Sequence, residues 1–153
     1  ATTPTAEWAA RLGVNLQSST LVMAESDKPF HIQQAEQIAA YRKAWADAGH
    51  ERTPRVSVSR SIFAIVNELD RRYFGGPGDS QDHFGYIEPG KQAVFGRSYA
   101  AEPDELIKQL ADDEAIKAAD TLLLTVPNQL GVAYNAHVIE SILKHVAPAL
   151  GWR

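Results

Sequence analysis

Hydroxyl-bearing side chains open the chain at the point where a helix should begin. Thr2, Thr3 and Thr5 surround Pro4, and a helical stretch follows as far as Gly13. We predict that Thr3 is the N-cap and that Pro4 takes the first position, where a missing N–H costs nothing. The free N–H groups and positive dipole of a helix start attract anions such as phosphate. The pattern alone leaves two interpretations of Thr2 and Thr5 open, a phosphate contact and an ordinary cap.

A second polar group follows an apolar run. Gln17, Ser18 and Ser19 fall towards the carboxyl end of a strand predicted over Val14–Leu21. Enzymes built from parallel strands place ligand contacts at that end. These side chains therefore contact a ligand or provide polar filling at the edge of the sheet.

Two basic residues have a functional and a structural interpretation. Arg60 lies inside the apolar strand predicted over Arg55–Val66, so it needs either a ligand or a carboxylate as its partner. His83 stands beside Asp79 and Asp82 in a glycine-rich segment and is the best candidate for proton transfer. A surface position is the alternative for His83.

Several other chemistries are excluded or disfavoured. The chain has no cysteine, and its five histidines (His31, His50, His83, His137 and His145) lack metal-ligand spacing, so we expect surface or capping roles and no metal. Gly85–Gln92 resembles a phosphate loop but ends in Gln where Ser or Thr is needed. The acidic run Asp112–Glu114 indicates a solvated helix end. A net charge of −4 and the lack of a long apolar run argue against nucleic acid and membrane partners.

The 153 residues alternate between helical and strand patterns, as expected for one α/β domain. After the first helix, helices are predicted over His31–Ala48, Glu68–Phe74, Pro103–Asp113 and Ala133–Val146, the last with Val138, Ile139, Ile142, Leu143 and Val146 inward. The third predicted strand is Thr121–Val126, and Gly75–Ser98 is predicted to be a long lid-like loop. An open doubly wound sheet and part of a (β/α)₈ barrel both fit. Three parallel strands alone would leave two apolar edges, which favours an incomplete barrel.

Several motifs, in this order and spacing, resemble the luciferase-like flavin-dependent monooxygenases. They are Thr2, Thr5, Ala6, Glu7, Trp8, Ala9, Ala10 and Gly13, then Tyr41–Trp45 with Ala48–His50, Ser57–Phe63, Phe95–Ser98, Leu123–Gly131 and Val146–Leu150. The resemblance covers essentially the whole chain. It implies the C-terminal half of that family's (β/α)₈ barrel.

The resemblance implies FMN as cofactor, in preference to the deazaflavin F420, in an oxidoreductase that uses reduced flavin and O2 on a small organic substrate. Thr2 and Thr5 would contact the FMN phosphate; Gln17, Ser18 and Ser19 would lie near the flavin ring or ribityl chain, and Arg60 is a further candidate. Thr20 departs from bacterial luciferase, which has an aromatic residue there. The implied partners are an N-terminal half-barrel, a flavin reductase and a second copy of the chain, in the cytoplasm.

Two alternatives stay open. A flavin- or phosphate-binding protein of the same fold would bind the cofactor without catalysis. A complete small α/β domain would bind a phosphate-containing metabolite at Thr2–Thr5. The gene sequence upstream of Ala1 distinguishes this last alternative from a half-barrel: a start signal there would support a small domain, and a further half-barrel's worth of coding sequence would contradict it.

Overall fold

The computed structural model describes residues 2–76 and 81–152. The helices are α1 (Thr3–Arg11), α2 (Phe30–Asp47), α3 (Glu68–Phe74), α4 (Pro103–Ala111), α5 (Glu114–Ala118) and α6 (Gly131–His145), with a 3₁₀ turn at Asn128–Leu130. The strands are β1 (Leu16–Ser18), β2 (Leu21–Met23), β3 (Val56–Arg60), β4 (Ile62–Ala64), β5 (His83–Glu88), β6 (Lys91–Phe95), β7 (Tyr99–Ala101) and β8 (Thr121–Leu124). Within the described ranges, no helix is both long and apolar enough to cross a membrane.

The chain divides into two compact units. The first contains residues 2–59, 82–96 and 113–123, and the second contains 60–76, 81, 97–112 and 124–152. Asp79, which the sequence placed beside His83, lies outside the described residues.

A three-stranded sheet with the order β1-β3-β8 forms the centre of the first unit. Strands β1 and β3 are parallel. β8 runs alongside β3 in the same direction, since the N–H groups of Asp120 and Thr125 donate to the carbonyls of Val56 and Arg60. One face of the sheet packs against α1, α2 and α5 through a core of Ala6, Ala10, Ile38, Tyr41, Trp45, Val56, Val58 and Ala115. The predicted parallel strands are therefore confirmed.

Helix α2 confirms the helix predicted from about His31, and it carries more polar residues into the core than periodicity suggested. Ile38, Tyr41 and Trp45 are buried. Gln33, Gln34 and Gln37 are buried as well. Among the described residues, Gln34 Oε1 and Gln37 Nε2 have no hydrogen-bond partner.

The segment predicted as a lid-like loop contains an antiparallel hairpin. Strand β5 pairs with β6, and β6 pairs with β2, so the prediction of a loop over Gly75–Ser98 is wrong for residues 83–95. The strand predicted over Val14–Leu21 is also divided, because β1 joins the parallel sheet and β2 joins the hairpin. A Cβ on Gly96 would lie 2.6 Å from the ring of Phe30, so only glycine fits where the hairpin ends.

The strand predicted over Arg55–Val66 is likewise two strands, interrupted at Ser61. In the second unit β4 pairs in parallel with β7, a strand that the sequence analysis did not predict. Helix α3 has the predicted bounds. One long strand is not formed because the backbone changes its pairing partner: Val58 in β3 pairs with β1, and Ile62 in β4 pairs with β7.

Three predictions about the last helices need correction. Helix α4 ends at Ala111, and Asp113 is 1% exposed and caps α5, so it does not belong to a solvated helix end. In α6, Val138 and Ile142 face inward as predicted. Ile139 and Leu143 were predicted inward but are exposed.

Candidate functional site

The start of α1 is capped by its own hydroxyls. Thr2, and not Thr3 as predicted, is the N-cap, and its Oγ1 accepts from the backbone N–H of Thr5 at 3.3 Å. The hydroxyl oxygens of Thr2 and Thr5 lie 2.8 Å apart. The two side chains named as phosphate contacts are therefore neighbours on one face of the helix start.

A carboxylate of the chain itself occupies the anion position at this helix start. The backbone N–H of Thr3 donates to Glu25 Oε1 at 2.9 Å, and its hydroxyl donates to Oε2 at 2.6 Å. Buried Gln33 fixes the loop, because its Oε1 accepts from the N–H of Glu25 at 3.0 Å and its Nε2 donates to the Lys28 carbonyl at 2.7 Å. The donors at the start of α1 thus hold an anion, and sequence reasoning missed Glu25.

The three polar residues near the end of β1 have different surroundings. Gln17 Nε2 donates to Ser59 Oγ at 3.1 Å, and Gln17 lies opposite Ser57 on β3. Ser18 is 2% exposed, and its Oγ accepts from Gln34 Nε2 at 2.7 Å on the side covered by α2. Ser19 is exposed, and its carbonyl also accepts from Gln34. Side chains alternate along a strand, so Gln17, Ser57 and Ser59 share the face turned away from the helices.

Arg60 and His83 have contrasting environments. Arg60 is 2% exposed at the end of β3. His83 is exposed on β5, opposite Phe95 of β6. Neighbouring Asp82 accepts from the backbone N–H of Phe30 at 2.8 Å and so caps α2. His83 remains a candidate on its sequence context alone.

A polar cluster around the buried carboxylate of Asp70, which the sequence analysis missed, lies in the second unit. We call Asn67, Asp70, Tyr134 and His137 the Asp70 cluster. Asp70 Oδ1 accepts from Tyr134 OH at 2.5 Å and contacts His137 Nε2 at 2.8 Å. Asp70 Oδ2 accepts from the N–H groups of Val66 and Asn67 at 3.1 and 3.2 Å. His137, predicted to be a surface or capping residue, is partly exposed and is also tied to Asp70, which the sequence analysis did not foresee.

Opposing effects set the ionisation of this cluster. Burial acts to raise the pKa of Asp70, but its hydrogen bonds from Tyr134, Val66 and His137, together with the charge of His137, outweigh burial and lower that pKa below its ordinary value. Burial and the adjacent Asp70 carboxylate raise the pKa of Tyr134. Asp70 is therefore ionised and Tyr134 is a neutral donor near pH 7.

Two signals in the sequence could have revealed the cluster. Asn67 and Asp70 form a capping box at the start of α3, a pattern readable from Asn-x-x-Asp before a helix. Tyr134 and His137 are three apart on α6 and so share a helix face. Their common partner, more than sixty positions away, is not visible in the sequence.

The predictions for His31 and for the segment Gly85–Gln92 agree with the structure. His31 Nδ1 accepts from the backbone N–H of Glu114 at 3.2 Å, which confirms a capping role. His50 Nε2 lies 2.9 Å from the carbonyl of Ala10. The loop over Gly85–Gln92 is part of the β5–β6 hairpin, unlike a phosphate loop. The described ranges contain no group of three or more metal-ligating side chains.

These elements define a mixed α/β protein with parallel strands. Its fold is similar to that in the crystal structure of monooxygenase RslO1 from Streptomyces bottropensis, with a TM-score of 0.63 and 18% sequence identity. The match covers 97% of this chain and 46% of that one, so this chain spans less than half the length of the monooxygenase. No family model matches the chain, and no curated protein matches it.

Proposed function

We propose that this chain is the C-terminal portion of an FMN-dependent, luciferase-like monooxygenase that acts on a small organic substrate. The observation that carries the proposal is the anion position at the start of α1, where Thr3 donates two hydrogen bonds to the Glu25 carboxylate. The likeness to part of a monooxygenase supports the class of activity.

The arrangement of the first unit supports a barrel in preference to a doubly wound sheet. The sheet order β1-β3-β8 follows the order of these strands along the chain, and α1, α2 and α5 pack into one core with them. A doubly wound sheet carries helices on both faces, whereas a barrel keeps them outside. The face with Gln17, Ser57 and Ser59 would then line the barrel interior. An N-terminal half-barrel would cover the outer edges of β1 and β8.

The donors at α1 fit the phosphate of FMN. The Glu25 carboxylate acts as a stand-in anion there, because it shows that the Thr3 N–H and hydroxyl converge on negatively charged oxygens. The Thr2 and Thr5 hydroxyls, 2.8 Å apart, lie on the same helix start and would add contacts. Reduced FMN, when bound, supplies the chemistry that activates O2.

The chain's own residues would bind the phosphate by exchange. A phosphate and a carboxylate repel each other at short range, so both cannot use the Thr3 donors. Glu25 is exposed and lies in a loop between β2 and α2, so its carboxylate can turn to solvent without opening the core. Gln17 and Ser59, joined by a 3.1 Å hydrogen bond, would orient the rest of the flavin.

Flavin titration of matched variants tests this proposal. FMN affinity would be measured by fluorescence for the wild type, Glu25→Gln and Glu7→Gln, in the chain and in the complete protein encoded by its gene. We expect Glu25→Gln to bind FMN about tenfold more tightly, because one repulsive charge is gone. Glu7→Gln removes the same charge from the side of α1, beside Arg11, and should change little. Equal affinities in all three forms would contradict the proposal.

Oxygen uptake separates catalysis from binding. In the complete protein, reductase-supplied reduced FMN should drive oxygen consumption coupled to a product. FMN binding without such uptake would instead assign a non-catalytic flavin-binding protein of the same fold. Tight FMN binding by the chain alone would contradict the requirement for an N-terminal half-barrel.

A further inference from the structure

The Asp70 cluster lies where proteins with parallel strands place ligand contacts. Asn67 and Asp70 follow the carboxyl end of β4, and Tyr134 and His137 lie in the first two turns of α6. Side chains just beyond the carboxyl ends of parallel strands are the usual source of ligand contacts in such folds. We propose that this cluster is a second ligand site, in which His137 Nδ1 accepts a hydrogen bond from the hydroxyl of a neutral phenol. The proposal goes beyond the flavin site and does not depend on it.

The hydrogen bonds fix which nitrogen of His137 carries the proton. An ionised carboxylate only accepts hydrogen bonds, so the 2.8 Å contact between Asp70 Oδ1 and His137 Nε2 requires a proton on Nε2. The Asn67 amide is oriented by its Oδ1, which accepts from the N–H of Asp70 at 2.9 Å. Its Nδ2 then lies 3.3 Å from His137 Nε2. Because this contact is longer than the 2.8 Å contact with Asp70, we assign the hydrogen bond of Nε2 to the carboxylate. In the neutral ring the lone pair is therefore on Nδ1.

That lone pair is available to a ligand. The described residues provide no hydrogen bond to His137 Nδ1, and the side chain is 33% exposed. Asp70, in contrast, is 2% exposed and cannot reach solvent. The cluster therefore presents one acceptor outward on a buried, fixed support, as a preorganised binding group requires.

The surroundings select the chemistry of the ligand. The Asp70 charge behind the ring disfavours anions and favours a molecule that donates a hydrogen bond. Three exposed apolar side chains belong to the same segment as Asp70, namely Val66, Leu69 and Tyr73. The Tyr73 ring meets Tyr134 edge to face at 5.1 Å between centroids, so it extends an aromatic surface from the cluster. A neutral aromatic ring bearing a hydroxyl matches both features.

A pair of probes tests the site without any mutation. Phenol and anisole share the same ring, but only phenol donates a hydrogen bond. At about pH 8.5, above the ordinary range of an imidazole and below that of a phenol, phenol keeps its proton and the histidine ring is neutral. Calorimetric titration of the full chain should then show phenol binding about tenfold more tightly than anisole, the value of one hydrogen bond. Equal binding of the two probes, or no binding of phenol, would overturn the proposal.

Two further measurements locate the binding. ¹⁵N NMR of the histidine rings at about pH 8.5 should show the proton of His137 on Nε2 and a shift of its Nδ1 resonance when phenol is added. A protonated Nδ1 in the neutral ring, or an unchanged resonance, would overturn the proposal. His137→Ala should lose the preference for phenol over anisole, whereas Tyr134→Phe, which keeps Nδ1, should retain it within about twofold. A purely structural tie between α3 and α6 would leave the probe preference absent in every form.

Discussion

Two carboxylates, Glu25 and Asp70, hold together distant segments of the chain, and they differ in exposure. Glu25 accepts two hydrogen bonds from Thr3 at the protein surface. Asp70 accepts from two side chains and two backbone N–H groups and is 2% exposed. Both carboxylates accept hydrogen bonds from backbone N–H groups at a helix start. They differ in that Glu25 is in contact with water and Asp70 is not.

This difference indicates which carboxylate can be replaced by a ligand. An exposed anion regains its hydration when it leaves its donors, so exchange costs little. A buried anion cannot leave without stranding several donors, each of which then loses a partner away from water. Of the two carboxylates, Glu25 is therefore the one that the proposed phosphate could displace. Asp70 is suited to hold other side chains in place.

The largest effect should come from removing the buried carboxylate. We expect Asp70→Ala to lower the free energy of unfolding by about 3 kcal/mol, because Tyr134 OH and two backbone N–H groups lose their acceptor. Urea denaturation measures it. Glu68→Ala is the matched control, since Glu68 lies two residues away with its side chain 93% exposed. A loss no larger than that of the control would remove the contrast between the two carboxylates.

Acid should weaken the Asp70 cluster in a defined direction. The pKa of Asp70 is lowered in the folded chain, so its contribution to stability is fully present above the unfolded value, about 3.9, and is lost as the pH falls through the lower folded value. Urea midpoints between pH 7 and pH 3 measure this dependence. The acid-induced loss should be smaller in Asp70→Asn than in the wild type. Parallel curves for the two forms would show that Asp70 is not the group responsible.

Loss of the α1 cap should have a moderate effect. Thr2→Ala removes the hydroxyl that accepts from the Thr5 N–H, and we expect a loss of about 1 kcal/mol. Thermal or urea unfolding measures it, and Thr2→Ser, which keeps the hydroxyl, serves as the control. If the serine variant lost as much as the alanine variant, the cap would not be the cause.

The smallest effect on stability should come from the exposed carboxylate. Glu25→Gln keeps the shape of the side chain, and we expect it to lower the free energy of unfolding by less than about 1 kcal/mol. The same urea experiment applies. A loss comparable to that of Asp70→Ala would mean that Glu25 is a fixed structural anion, which would contradict the proposed exchange with phosphate.

Periodic elements could be predicted from sequence, and changes of strand partner could not. Helices α2 and α3 were predicted because the residue patterns that favour a helix act locally. The break at Ser61 is invisible in a run of strand-forming residues, because it reflects pairing with β7, almost forty positions further on. The β5–β6 hairpin was hidden by its glycines, although the Pro89-Gly90 turn between alternating residues is a usable signal.

The candidate sites show the same limit. Thr2 and Thr5 could be named because a helix start is a local feature. Glu25 could not, since its partner Thr3 is 22 residues away, and the tie between Asp70 and His137 spans 67 positions. The residues at the start of α1 indicated that an anion could bind there, but only the fold shows that the anion is the Glu25 carboxylate.

The buried glutamines of α2 have a consequence for engineering. Gln37 is 3% exposed, and within the described part of the chain its Nε2 has no hydrogen-bond partner. Such an amide gives up hydration without compensation, so a side chain of similar volume and no polarity would suit the position better. Replacing this glutamine, for example by Gln37→Met, should therefore raise the melting temperature of the protein and leave Glu25 and Asp70 unchanged.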